Sequence, residues 1–359
     1  MAADAPADKP FLLYGANGYT GTLIAEECAR RGTSVILAGR SEASIRPLAE
    51  RLGLPYRVFS LGTGAEVARE LEGVGAVLLA AGPFSQTSAP VVDACLRTGT
   101  HYLDITGEIA VFEAVHARGA EAREAGSVLL PGAGFDVVPS DCLAASLAEQ
   151  LPGATHLALA FHAVGSPSRG TMKTMLEGLP QGGAARRDGR IVEVPAAWKQ
   201  RTIPFHDKPR SAMTFPWGDV STAYYSTGIP NIEVYLALPK RLVSAARLSR
   251  PLAPLLGTKP VQRFLARRID SRPPGPSPRE RETGRSELWG RVEAPDGRSA
   301  EATLTTIEGY TLTMLTAIDT ARRLLAGEAT PGAHTPATAF GADFITRFEG
   351  CTLRMGHVS

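Results

Sequence analysis

The sequence predicts a doubly wound α/β parallel sheet followed by a second α+β domain. Three observations carry that prediction. The first 150 residues alternate short, nearly continuous apolar runs with amphipathic stretches, the pattern of strands buried on both faces between covering helices. A glycine-rich turn separates the first run from the first amphipathic stretch. After about residue 150 the runs alternate apolar and polar residues, as half-buried antiparallel strands do.

The elements follow in order. Strands are expected at Phe11–Tyr14, Ser34–Gly39, Arg57–Leu61, Ala76–Ala81, His101–Ile105 and Ser127–Leu130. Helical patterns lie between them, at Thr20–Arg31, Glu42–Leu52, Gly64–Leu71, Ala89–Thr98 and Ile109–Ala125. Beyond residue 150, strands are expected at Thr155–Val164, Arg190–Val194, Ala212–Phe215 and Asn231–Leu238. Ser286–Glu293 and Ser299–Ile307 flank Pro295-Asp-Gly297, a hairpin signal. Thr171–Leu179, Thr313–Leu325 and Pro336–Phe348 read as helices, and residues 273–278 as a proline-rich linker or surface loop. No internal repeat is evident.

Composition bounds the class. The 359 residues suffice for about two domains at roughly 150 residues each. Apolar residues make up 44% and charged residues 21%, which excludes a disordered chain, a collagen and a coiled coil. Lys and Arg number 38 against 36 Asp and Glu, so the global charge makes no case for nucleic-acid binding. That balance hides an asymmetry. Residues 1–150 hold 11 basic and 18 acidic residues, and the remainder holds 27 and 18. The four cysteines form no C-x-x-C pair and have no histidine cluster nearby. They read as reduced thiols, with neither a zinc site nor a disulfide framework expected. The N-terminus lacks the charged-then-apolar order of a signal peptide, and no apolar run reaches 18 residues. A cytoplasmic chain is therefore expected.

The sharpest motif is Gly15-Ala16-Asn17-Gly18-Tyr19-Thr20-Gly21. It follows the first strand and opens the first helix, the context that marks a dinucleotide site. Gly15 permits the tight turn and Gly18 lets a pyrophosphate approach the backbone. Gly21 lets the helix pack closely on the sheet. The helix N-terminus offers free N–H groups to the phosphates. The next strand ends Gly39-Arg40-Ser41, where an NAD site usually places an acid. A guanidinium and a hydroxyl there suit the 2′-phosphate of NADP. Ala81, Gly82, Pro83 and Phe84 end the fourth strand and are expected to line the cofactor path.

With these residues the chain resembles the saccharopine dehydrogenase-like oxidoreductases, and within them the bacterial trans-acting enoyl reductases. The resemblance rests on the segments 14–21, 38–40, 81–84, 99–108 and 131–141, with Arg169-Gly-Thr171 and residues 335–341 in the later part. It implies an NADP-binding Rossmann-type domain over 1–150 and an α+β substrate or dimerisation domain over 151–330. It also implies a helical segment, 331–359, returning to the first domain. Finally, it implies hydride transfer to a carbon–carbon or carbon–nitrogen double bond. No basic set for an amino-acid substrate is evident.

Three acids are candidate catalytic residues. Asp104 and Glu108 straddle the end of the fifth strand, and could place substrate or donate a proton. Helix capping is their competing role. Asp136 follows Gly132 and Gly134 after the sixth strand, and could orient substrate or the cofactor carboxamide. Ser140 and Asp141 resemble a helix start after Pro139. Arg169-Gly-Thr171 precedes a helix and is either an anion site or a simple helix start. The Tyr-x-x-x-Lys pair of short-chain dehydrogenases and the Gly-x-Ser-x-Gly elbow of hydrolases are both absent.

Residues 240–268 carry eight positive charges and no acid. Pro251, Pro254 and Gly257 divide them into two amphipathic helices. They read as an ordinary surface pair, as a dock for an acyl carrier protein, or as a peripheral membrane contact. A homodimer is a further expectation. The leading function is an NADPH-dependent reductase of an enoyl thioester. The alternatives are an imine or carbonyl reductase and a non-catalytic NADP-binding sensor.

Overall fold

The computed structural model describes residues 9–163, 166–178, 182–248 and 258–359. The expected breaks at Pro251, Pro254 and Gly257, and the ends of two elements at Val164 and Leu179, lie outside the described residues. The chain divides into two compact units. The first comprises residues up to Thr106, Ala110–Gly134 and Thr313–His334, and the second comprises Gly107–Ile109, Phe135–Leu312 and Thr335–Ser359. This differs from the expected boundaries at 150 and 330. The first unit ends its main run at residue 134, because the helix Val138–Gln150 lies on the second unit's strands. The returning segment is 313–334, and 335–359 stays with the second unit.

The first unit is a seven-stranded parallel sheet. Its strands are β1 (Phe11–Tyr14), β2 (Val35–Gly39), β3 (Tyr56–Val58), β4 (Ala76–Leu79), β5 (His101–Asp104), β6 (Val128–Leu130) and β15 (Gly332–Ala333). Their order is β15-β6-β5-β4-β1-β2-β3. The central strands β1 and β4 are buried along their whole length, which is why they read as unbroken apolar runs. Phe11, Leu12, Leu13 and Leu78 are fully buried there. The edge strand β3 is instead largely exposed. Strand order reverses at β1, whose neighbours are β4 and β2. An open α/β sheet binds ligands outside the carboxyl ends of the strands at such a switch point.

The second unit is a nine-stranded mixed sheet. The strands are β7 (His156–Ala163), β8 (Gly183–Arg187), β9 (Arg190–Val194), β10 (Gln200–Pro204), β11 (Pro209–Thr214), β12 (Asn231–Ala237), β13 (Arg285–Glu293), β14 (Ser299–Ile307) and β16 (Thr352–Met355). Seven run in the order β10-β11-β12-β7-β13-β14-β16, with β8 on β12 and β9 on β8. The pair β7 and β12 is parallel and the others are antiparallel, so the sheet is close to the largely antiparallel one expected. The hairpin turns through Asp296, whose carboxylate accepts from the Arg298 amide at 3.1 Å. The helix Val138–Gln150 lies on β13. A methyl group added at Gly290 would stand 2.6 Å from Leu147 Cδ1. The hydrogen at that position is what lets the helix descend onto the sheet.

Candidate functional site

The glycine turn forms a cradle at the switch point. Gly15 has φ +88°, a left-handed backbone that disfavours any side chain. Its amide donates to the Ala38 carbonyl at 2.8 Å, and the Gly18 amide donates to the Gly15 carbonyl at 3.0 Å. A methyl group at Gly15 would also meet Ala80 and Ala81 at 2.9 Å. The turn is thus wedged against the end of β4, and Ala81 is placed beside it. At Gly21 a methyl group would stand 2.2 Å from the Gly15 carbonyl oxygen. The close packing expected of Gly21 is therefore against its own turn rather than against the sheet. The helix Tyr19–Arg31 starts at Gly18 with no side chain capping its end. Asn17 and Gly18 are exposed, and Tyr19 and Thr20 are half-buried. The cradle therefore presents backbone and helix N-terminus to solvent, which suits a phosphate group.

Arg40 stands at the end of β2 and is exposed. No ion pair engages it among the described residues. Its charge reaches the Tyr14 hydroxyl. Burial raises the Tyr14 pKa, and Arg40 partly opposes that rise. Ser41 begins the helix Glu42–Leu52 without capping it by hydrogen bond. The Ala81–Phe84 turn is held by Thr87, whose hydroxyl donates to the Ala81 carbonyl at 2.7 Å and lies 3.1 Å from that of Pro83. Phe84 begins the helix Phe84–Thr98. The expected cofactor residues are thus brought together around the carboxyl ends of β1, β2 and β4. Thr87 was not singled out in the sequence. Its spacing from Pro83, one helical turn, was the available signal.

Asp104 has a different task from the one expected. It is completely buried and accepts from the Tyr102 hydroxyl at 2.6 Å, the Thr106 amide at 3.0 Å and the Gly132 amide at 2.8 Å. A carboxylate so enclosed ties the turn after β5 to the turn after β6, and has no surface with which to meet a substrate. The Tyr102-x-Asp104 spacing, which puts both side chains on one face of a strand, was the signal for this tie. Glu108 belongs to the second unit. It is half-buried and stands immediately before the helix Ile109–His116, rather than in that helix's first turn.

Asp136, also in the second unit, keeps partial solvent access. Burial of its carboxyl nevertheless pushes its pKa up to about 7. Its backbone carbonyl accepts from Trp217 Nε1 at 2.7 Å. Two further buried acids share this region. Asp141 accepts from the Ala337 amide at 2.7 Å, and burial pushes its carboxyl up to about 6. Asp219 lies well above its ordinary range, mainly through burial, with the charges of Asp141 and Asp136 adding to the rise. Ser140 opposes that rise, but its hydroxyl is donated to the Val137 carbonyl at 3.1 Å. Neither Asp219 oxygen has a hydrogen-bond partner in this geometry. Asp219 was not singled out in the sequence, and the helix Asp219–Thr227 that it opens was not expected there.

Of the two readings of Arg169-Gly-Thr171, the structure shows a helix start, with the helix Arg169–Gly178 beginning there. Ser168 Oγ accepts from the Thr171 amide at 3.2 Å, and Arg169 Nε donates to the Arg272 carbonyl at 2.6 Å. Cys28, Cys95 and Cys142 are buried, and burial pushes the Cys28 thiol up to about 12. Among the described residues no group of acids, histidines and cysteines could hold a metal ion. No described helix is long and apolar enough to cross a membrane.

Comparison with known proteins agrees with this geometry. Residues 11–130 match the family described as saccharopine dehydrogenase NADP binding domain, so the first unit carries an NADP-binding domain of that kind. A trans-acting enoyl reductase of Mycobacterium tuberculosis is 34% identical over 146 residues, which is 38% of this chain and 35% of the relative. Its counterpart in Mycobacterium ulcerans is 30% identical over 147 residues, 39% of this chain and 35% of the relative. The matches thus span about a third of each relative's length. Among solved structures, saccharopine dehydrogenase (L-Glu forming) from Saccharomyces cerevisiae aligns with a TM-score of 0.61 at 12% identity, covering 97% of this chain and 100% of the other. Homospermidine synthase from Legionella pneumophila, solved with NAD, gives 0.58 at 12% identity, covering 95% and 89%. These two likenesses establish the fold.

Proposed function

We propose that this chain is an NADPH-dependent oxidoreductase that reduces the carbon–carbon double bond of an enoyl substrate, such as an acyl thioester in lipid or polyketide metabolism. The observation that carries the reading is the glycine cradle at the switch point, with the unpaired Arg40 beside it. The 30–34% identity to trans-acting enoyl reductases supports the enoyl step. Gly15, Ala16, Asn17, Gly18, Tyr19, Thr20 and Gly21 would hold the pyrophosphate. Arg40 and Ser41 would hold the 2′-phosphate through charge-assisted hydrogen bonds, and Ala81, Gly82, Pro83 and Phe84 would line the path. When bound, NADPH supplies a hydride to the β-carbon of the enoyl group and leaves as NADP⁺. The α-carbon then needs a proton. Asp136, with a carboxyl near pKa 7, is the leading donor because an acid is most useful when its pKa lies near the working pH. Glu108 is the second candidate.

NADPH consumption against a panel tests this. The panel holds a free and a carrier-bound enoyl thioester, an imine and a carbonyl compound. Turnover of an enoyl thioester is the expected result. Turnover of the imine or carbonyl alone would move the assignment to saccharopine-type chemistry. Tight NADPH binding with no turnover would make the chain a sensor.

A further inference from the structure

Two helices of the second unit carry a set of cations that nothing in the proposed reaction uses. They are Lys240–Leu248 and Lys259–Asp270. Lys240, Arg241, Lys259, Arg263, Arg267 and Arg268 are all exposed. Several surface arginines elsewhere do find acids, as Arg46 finds Glu50 at 2.8 Å and Arg298 finds Asp296 at 2.8 Å. These six have no ion pair among the described residues. The one described acid on either helix, Asp270, is taken by Lys173 at 2.6 Å.

The same helices expose large apolar side chains. Leu242 is 48% exposed, Phe264 57% and Leu248 80%. Burial of these groups is thus forgone while cations surround them. On the first helix Val243 is buried against Ala197 and Met213, so the opposite side carries the exposed residues. The second helix is held by Gln262, whose amide donates to the Leu176 carbonyl at 3.1 Å, and it buries no residue of its own. Arg263, Phe264, Arg267 and Arg268 fall on one face at helical spacing, with the Arg268 guanidinium 5.5 Å from the centre of the Phe264 ring. The first helix also starts at a groove of about 320 Å³ lined by Arg210, Ser211 and Lys240, with Arg210 paired to Asp207.

We propose that these two helices are peripheral docking elements for an anionic phospholipid membrane. The unpaired cations would meet the phosphate headgroups, and Leu242, Leu248 and Phe264 would enter the boundary of the acyl chains. A contact made through charge alone would leave the leucines and the phenylalanine without a task, whereas an interfacial helix sets Lys and Arg beside apolar side chains that enter the lipid. The apolar residues therefore favour the lipid surface. This inference stands apart from the reductase assignment, since it rests on other residues and needs no turnover.

The test is cosedimentation of the full chain with vesicles. Vesicles of mixed phosphatidylcholine and phosphatidylserine are compared with vesicles of phosphatidylcholine alone. Partition should rise about tenfold or more with the anionic lipid and fall with added salt. Arg263→Glu/Arg267→Glu/Arg268→Glu should lower it about tenfold or more. Leu242→Ser/Phe264→Ser, which keeps every charge, should lower it severalfold. Both variants should keep NADPH affinity, which separates this surface from the cofactor site. Failure of the unaltered chain to sediment with the anionic vesicles overturns the proposal. So does loss on charge reversal with no effect of Leu242→Ser/Phe264→Ser, the pattern of a purely electrostatic protein contact.

Discussion

Asp104 ends β5 and Asp136 follows β6 by six residues, and their environments give them opposite characters. Three donors surround Asp104, whereas the carboxyl of Asp136 is raised to about 7 from an ordinary 3.8 chiefly by burial. A raised carboxyl favours the protonated form in the folded state. Its stabilising effect is full below pH 3.8 and is lost as pH rises through about 7. Asp141, raised to about 6, and Asp219 act in the same direction. Asp136→Asn should therefore flatten part of the fall in thermal stability across that window. Turnover of the unaltered chain should decline above pH 7, and the residual turnover of the variant should lose that decline. A variant whose stability and rate follow the same pH curves as the parent would remove Asp136 from the account. Beyond the Tyr102-x-Asp104 spacing, little of this was readable from the sequence, which shows where an acid stands but not how many donors the fold will turn toward it.

At the scale of elements, the sequence was most informative where one physical cause dominated. Strand β1 and the helix Glu42–Leu52 have the expected bounds, because the strand is buried on both faces and the helix has a plain amphipathic stripe. The helix Phe84–Thr98 starts five residues before the expected Ala89, since the polar Ser85, Gln86 and Thr87 in its first turn hide it from a search for apolar period. The stretch expected as one helix over 109–125 is two, Ile109–His116 and Gly119–Glu124. The late helix expected over 336–348 stops at Phe340, before Gly341 at φ +92°. Strands β8, β10, β15 and β16 were missed. Strand β15 is two residues long, and β10 and β16 are exposed edges with little apolar content. The turns after β5 and β6 are joined by the Asp104 tie, so its supports belong to this scale. Tyr102→Phe removes one donor from a buried carboxylate and should cost about 1–3 kcal/mol of unfolding free energy. Denaturant unfolding checks this, and an unchanged midpoint would show that the tie carries no load.

For the molecule as a whole, two sheets of different kinds serve different ends. The parallel sheet reverses its strand order at β1, and that reversal places the glycine cradle, Arg40 and the Ala81–Phe84 turn at one set of strand ends. The second unit carries the raised carboxyls and, on two helices, the unpaired cations. The charge asymmetry between residues 1–150 and the rest thus has a structural counterpart, with seven of the eight cations of residues 240–268 on the two helices. The reductase reading depends on recognition of the cofactor, and in that reading Arg40 decides its form. The direct measurement is the ratio of NADPH to NADH dissociation constants, by titration calorimetry, for the parent chain and for Arg40→Asp. The loss of charge-assisted hydrogen bonds to the 2′-phosphate should weaken NADPH by roughly tenfold to a hundredfold while leaving NADH unchanged or tighter. Equal NADPH affinity in the two proteins would contradict the assignment.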